Sequence, residues 1–473
     1  PNPEVKRCSA DGIGTTGPVR VGRRQVFARH PQQCGCRALF LPGVSSVRDR
    51  GGGCFVAAGA GTGKGQQQLV GEFVFPSTQR TQGGRVVRVN RRLVFGTLMT
   101  GILGAILSGS VRAQLRQGRF HTPAEAKVEM DARAETYPSR EKWQVRASQI
   151  RQGILEGAGL QALPERQLPS VIRHSPRPMN GYRIENLSLE TAPGLFVGAN
   201  LYLPEGNGPF PVVLSSHGHW PGANPLEHGR FQEFMQKRCG ALARMGCAVI
   251  AWDMIGHGES ALAGWKHGVD PQELRVQLWN SIRMLDFMLG LPGADEKRVA
   301  VTGESGGATQ AFLLAAVDER VTISIPCVQV SAWFYGGCAC ESGLPIHVRP
   351  GHVANNVEIA AVIAPKPLLL ISNGKDWTQN VPELEFPYLQ RIYGLFGRVG
   401  QVENAHFAEE GHDYGPSKRK ALYHFVGKHF GLEPENADES EIEVIPGDQL
   451  RAFDEARPIP ERALAPNSKI RLF

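Results

Sequence analysis

From residue 180 onward, short continuous apolar runs alternate with longer stretches in which apolar residues recur every three or four positions. YRIENLSLE and LFVGANLYLP predict an early antiparallel hairpin. FPVVLSSHGH, CAVIAWD, RVAVTGE, VTISIPCVQV and PKPLLLISN predict buried strands. Between and after them, PLEHGRFQEFMQKRCGALARMG, DPQELRVQLWNSIRMLDFMLG, GGATQAFLLAAV, PELEFPYLQRIYGLFG and KRKALYHFVGKHFG predict helices. Strands that are apolar at every position need cover on both sides, and amphipathic helices supply it. The expected fold class is therefore α/β, a mostly parallel central sheet with helices on both faces. No internal repeat is visible.

The pattern differs on either side of this region. Residues 114–179 are polar and helix-prone, with HTPAEAKVEMDARAETY and EKWQVRASQIRQGILEGAG reading as surface helices of an N-terminal extension on the main domain, 180–432. Residues 433–473 begin EPENADESEIEVIPGDQL, acidic and Pro-bearing, and are expected as a tail laid over the surface or partly mobile. Upstream, Arg85, Arg88, Arg91 and Arg92 precede an apolar run from Leu93 to Leu107, and Val111-Arg112-Ala113 follows with small residues at a cut. This is the layout of a signal peptide over 85–113, too short in its apolar core to span a bilayer. The mature protein is then expected to begin near Gln114, to be exported to the periplasm or beyond, and to keep no stable membrane span. The Arg91-Arg92 pair matches a twin-arginine signal only loosely.

Residues 1–84 show neither helical nor strand periodicity, contain no methionine, and are expected to be a leader foreign to the folded protein or disordered. Within them GAGTGKG approaches a phosphate-binding loop, but Ala58 stands where the first glycine is needed and Gly65 where Ser or Thr would hold Mg²⁺.

At 473 residues, 41% hydrophobic and 21% charged, the chain has ample material for a core, which excludes wholesale disorder and a multi-span membrane protein. The net charge of +7 is unevenly placed. Residues 1–113 carry 16 Lys and Arg against 4 Asp and Glu, and the remainder 36 against 41. The folded part is thus mildly acidic and has no basic stripe with interleaved aromatics, so nucleic acid is not an expected partner. Of nine cysteines, five follow the cut (Cys239, Cys247, Cys327, Cys338, Cys340), an odd number that leaves at least one without an intramolecular partner.

Chemistry concentrates at VTGESGGATQ, residues 301–310. Ser305 stands between a predicted buried strand and a helix, where a nucleophile must project from a sharp, strained turn. Gly303 and Gly307 remove the collisions that bulkier residues would make there. Gly306 would aim its backbone N–H at a developing oxyanion, at a helix N-terminus. A serine needs a base to take its proton, and the base an acid to orient it. With the order Ser, acid, His, the candidates are Asp376 in LLLISNGKDWT and His412 in HFAEEGHDYG; Glu409 and Glu410 are fallback acids. A second oxyanion donor is expected from SSHGHWPG, at the N–H of His219 or else Trp220, with His217 ordering the loop.

SHGHWPG, WDMIGHGES, GESGG, NGKDW and EEGHDYG, in this order over roughly residues 180–432, resemble the α/β-hydrolase superfamily, most of all its acetyl xylan esterase and dienelactone hydrolase-like branches. The resemblance implies an α/β-hydrolase fold and hydrolysis of a small-molecule or polysaccharide ester, with Ser305, Asp376 and His412 as triad and no metal or organic cofactor. Gly306 departs from the acetyl xylan esterase pattern, which usually has Gln after the serine. Rivals on the same fold are a peptidase of the prolyl oligopeptidase type, for which a propeller domain is missing, and a binding protein without catalysis.

The loop SAWFYGGCACESGLPIHVRPGHVANN, 331–356, is expected to cover the pocket with Trp333, Phe334 and Tyr335; Trp220 is a further candidate for its lining. Its Cys338, Cys340, Glu341, His347 and His352 lack the C-x-x-C or H-E-x-x-H spacing of zinc ligands, so buried thiols or one disulfide are expected there. Composition and motifs leave the oligomeric state open.

Overall fold

The computed structural model describes residues 121–162, 167–220, 224–270, 272–342 and 346–473. The expected leader (1–84) and signal segment (85–113) lie outside the described residues. Strands run in chain order β1 (Ser170–Met179), β2 (Tyr182–Ala192), β3 (Leu195–Pro204), β4 (Phe210–Ser216), β5 (Ala248–Trp252), β6 (Ala294–Glu304), β7 (Ile323–Cys327), the short pair β8 (Val348–Arg349) and β9 (His352–Val353), β10 (Leu368–Asn373) and β11 (Val402–Phe407). Nine of them form one sheet in the order β1-β2-β3-β5-β4-β6-β7-β10-β11. The hairpin β2–β3 forms as expected, β1 through β5 pair antiparallel in that order, and every neighbour from β5 to β11 is parallel. Val212, Val213 and Leu214 of β4 and all five residues of β5 are buried, which is why their sequences read as unbroken apolar runs.

The helices are α1 (Pro123–Thr136), α2 (Arg140–Ala158), α3 (Glu233–Arg244), α4 (Gly258–Leu262), α5 (Glu273–Leu289), α6 (Gly306–Val317), α7 (Asn356–Ala361), α8 (Glu385–Gly394) and α9 (Pro416–Phe430). Thr122 and Glu125 close a capping box on α1, and Gly159 at φ +66° ends α2. Two cores result. One gathers Met130 of α1, Trp143 and Ile150 of α2, and buried residues of α5, α6, α7 and α8. The other joins Met235 and Leu242 of α3 to Leu422 and Val426 of α9. Helices therefore cover both faces.

Two flanking segments differ from the expectation. Residues 170–179 are not part of a helical extension but form β1 at the sheet edge. Pro176 and Pro178 obscured it, yet an edge strand tolerates proline because its outer N–H groups need no partner. A register shift between His174 and Arg177, with Ser175 at φ +51°, breaks the alternation further. The segment 433–473 is packed rather than loosely laid. Ile442, Ile445 and Leu450 enter the second core, and Ile470 and Leu472 the first. Its backbone is also tied down: Gln236 exchanges two hydrogen bonds with Ile445, and the Glu259 carboxylate accepts the N–H groups of Ala452 and Phe453.

Candidate active site

The carboxyl ends of β4, β5, β6, β7, β10 and β11 share one edge of the parallel sheet, and the loops leaving them carry the candidate chemistry. Ser305 sits between β6 and α6 at φ +53°, ψ −124°, a conformation that residues with a side chain rarely adopt. Its N–H donates to the Cys327 carbonyl (3.1 Å) and its own carbonyl accepts from Thr309 N–H (3.1 Å), so the turn is held from both sides. A Cβ on Gly303 would lie 2.5 Å from Ser216 Oγ, and one on Gly307 2.7 Å from the His217 carbonyl oxygen. The three glycines of the motif thus let the end of β4, the turn and the first turn of α6 approach one another.

Glu304, just before the serine, is fully buried and organises the loop after β4. It pairs with Arg238 of α3 (2.6 Å), while its Oε1 accepts from Gly218 N–H (2.7 Å) and from Trp220 Nε1 (3.2 Å). Arg238 also donates to Ser215 Oγ and to the Ser216 carbonyl, and stacks on Tyr414. His217 is buried, accepts Met254 N–H at Nε2 (3.0 Å) and faces the Gly218 carbonyl with Nδ1 (2.8 Å). Burial pushes its pKa down to about 3, so it stays neutral and orders the loop.

His412 Nδ1 lies 2.7 Å from Asp376 Oδ2, and Asp376 Oδ1 accepts from the N–H and hydroxyl of Thr378. The carboxylate thereby holds the imidazole proton on Nδ1 and presents Nε2 as the acceptor. Trp377 lies against the His412 ring (4.2 Å between centroids), Phe334 packs on Trp377 (4.6 Å), and Trp220 flanks the imidazole at 6.0 Å. The fallback acids are engaged elsewhere, Glu409 with Lys375 and Glu410 with Ser417 and Lys418. Among the described residues Ser305 Oγ makes no hydrogen bond to His412. It donates to Glu341 Oε1 (3.3 Å) instead. Glu341 is buried, which alone would raise its pKa. The His219 imidazole, the Gly337 N–H and the nearby His412 outweigh burial and hold it down at about 2.

The chain aligns with Methylesterase BT1017 at 35% identity, over 74% of this chain and 78% of that one, with a TM-score of 0.68. The chain belongs to that enzyme's family, the α/β-hydrolase serine esterases. It is a carboxylic ester hydrolase. Other solved structures similar to this esterase are a glucuronoyl esterase from Solibacter usitatus (16% identity, 62% of this chain and 94% of that one, TM-score 0.46) and an acetyl xylan esterase from Paenibacillus sp. R4 (17%, 60% and 94%, 0.39). No protein-family model and no curated protein matches the chain. No helix of its described residues is long and apolar enough to cross a membrane.

Around this core of the site, several residues of the esterase stand apart from the sequence reading. Tyr335 does not line the opening: it is 2% exposed and stacked on His347 (5.0 Å) beneath the loop. Trp333 is half-buried beside Phe334, and its carbonyl accepts from His121 N–H. Glu341, noticed in the sequence only as a dismissed zinc ligand, is the partner of Ser305. His219, singled out for its backbone, has its ring against Gly306. Its Nδ1 lies 3.3 Å from Glu341 Oε1, and its Nε2 lies 2.8 Å from both His267 Nε2 and Cys340 Sγ. Cys338 and Cys340 are joined as a disulfide; Cys239, Cys247 and Cys327 are buried thiols. His347 and His352 point elsewhere, to Asn356 and to the Ile346 carbonyl. The cysteine pair does meet two histidines, but they come from loops remote in sequence, which no local spacing could reveal.

Proposed function

We propose that this esterase hydrolyses small esters carried on carbohydrates, with Ser305 as nucleophile, His412 as general base and acid, and Asp376 as its orienting acid. The observation that carries the reading is the His412–Asp376 pair at 2.7 Å on the sheet edge from which the strained Ser305 projects. In the reaction the Ser305 hydroxyl turns from Glu341 to His412 Nε2, gives up its proton and attacks the ester carbonyl. The N–H of Gly306 at the start of α6, with that of His219 or Trp220, receives the oxyanion. His412 then protonates the departing alkoxide, and water repeats the steps on the acyl-enzyme.

Trp220, Trp377 and Phe334 offer flat apolar faces beside His412, suited to a sugar ring. The sequence resemblance favours an acetyl ester. The likeness to a methylesterase favours a methyl ester instead. Either way one side of the scissile bond is small. Initial rates on 4-nitrophenyl acetate, acetylated xylan and a methyl-esterified polyuronide distinguish the two. Ser305→Ala is expected to lower kcat by about 10⁴-fold or more; turnover equal to the unaltered enzyme would refute the assignment. The basic, apolar and small-residue succession over 85–113 supports export. Secreted protein beginning near Gln114 on N-terminal sequencing is the expected outcome.

A further inference from the structure

We propose that His219, His267, Cys338 and Cys340 form a closed, four-coordinate zinc site that pins the loop 331–342 against the nucleophile's turn. The four ligand atoms, two imidazole Nε2 and two Sγ, lie within 4.8 Å of one another. That is the compass of a tetrahedral site with Zn–S bonds of about 2.3 Å and Zn–N bonds of about 2.0 Å. Three separate segments supply them: the loop after β4, the loop between α4 and α5, and the loop after β7.

The orientation of the two imidazoles carries the argument. His267 Nδ1 faces two acceptors, Glu273 Oε1 at 2.6 Å and the Ile255 carbonyl at 2.8 Å. His219 Nδ1 faces Glu341 Oε1 at 3.3 Å. Each Nδ1 is therefore turned to an acceptor outside the cluster, and the two Nε2 atoms face each other across 2.8 Å and face the two sulfurs. Four N and S donor atoms converging on one point from three loops match the donor set and compass that Zn²⁺ takes. A carboxylate or carbonyl behind each imidazole is also how proteins orient metal-bound histidines. Zn²⁺ with two thiolates and two neutral imidazoles carries no net charge, which suits a half-buried position. On binding, each thiol releases its proton to solvent and its sulfur lone pair forms the Zn–S bond. The disulfide is the metal-free, oxidised form of the same pair, and a phosphine reductant returns it to thiols.

All four positions are filled by protein, so the site is structural rather than a source of activated water. Its consequence is local: Glu341 follows Cys340 directly and accepts from Ser305, while the His219 ring lies on Gly306. The inference is independent of the ester-hydrolase reading, because its readout is metal rather than turnover.

The test uses the full chain, purified without chelator. Elemental analysis is made on the protein as isolated and again after phosphine reduction, addition of ZnCl₂ and gel filtration. About one zinc per chain in either preparation supports the site. Replacement by Co²⁺ should then give intense thiolate-to-cobalt absorption in the near ultraviolet, and Cys338→Ser/Cys340→Ser and His267→Ala should lose both signals. Ser305→Ala should keep its zinc even though it loses turnover. Absence of zinc from both preparations would overturn the proposal, as would cobalt bound without a thiolate band. Zinc retained in the doubly substituted protein would do so too. Because the cobalt spectrum is taken on the unaltered chain, misfolding of a variant leaves the proposal decidable.

Discussion

A glycine that cannot be replaced leaves a sharper signature than a polar residue that can. Gly307 of the elbow lies where a Cβ would come 2.7 Å from the His217 carbonyl oxygen and 2.8 Å from that of Ser216, both backbone atoms of the loop after β4. Gly307→Ala must therefore push that loop from the turn. A loss of about 1–3 kcal/mol in urea unfolding is expected, with a fall in kcat at little change in KM. Unchanged kcat would mean that the loop position does not matter to the reaction. At this scale the sequence was informative: the serine, its glycines, Asp376 and His412 were all legible, because each follows a strand end in a fixed order. Glu341 was not, since nothing in CACESG marks a carboxylate that turns inward to a serine 36 positions earlier.

Between elements, buried charge decides. Arg238 of α3 and Glu304 of β6 are both fully buried and paired at 2.6 Å. Arg238→Met leaves the carboxylate without its partner, at an expected cost of about 3–5 kcal/mol. Adding Glu304→Gln should return part of that loss, measured by chemical unfolding of the single and double variants. At the start of α8, Glu385 is buried with Oε1 accepting Ala332 N–H (2.8 Å), and burial pushes its pKa up to about 7. The folded state thus keeps a proton that the unfolded chain releases near its ordinary value of 4.5. The resulting contribution to stability is complete below that ordinary value and is lost as pH rises through about 7. Glu385→Gln should then match the unaltered protein near pH 5 and exceed its thermal midpoint near pH 8; equal midpoints at both would disprove the assignment. Neither pair was legible in the sequence, where Arg238 and Glu385 read as polar positions of amphipathic helices. Which polar residue a helix turns inward depends on what waits for it there.

Across the whole molecule, the C-terminal segment closes the second core. Leu450 is fully buried there, and its carbonyl accepts from Asn200 Nδ2 (3.0 Å). Leu450→Ala should cost about 2–5 kcal/mol, seen in thermal unfolding; a surface tail would lose almost nothing. This segment and β1 are where local pattern misled, since prolines and acidic residues set among isolated apolar ones look like a chain with nothing to pack on. What the amino-acid order determined by itself was the alternation of buried strands and covering helices, the β2–β3 hairpin and the strand-end positions of Ser305, Asp376 and His412. Periodicity and turn chemistry are local, and these features are set locally. The tertiary structure alone decided that Glu341 meets Ser305, that Arg238 meets Glu304, and that two histidines from separate loops meet a C-x-C pair. Those contacts join residues whose separation in the chain carries no signal of their distance in space.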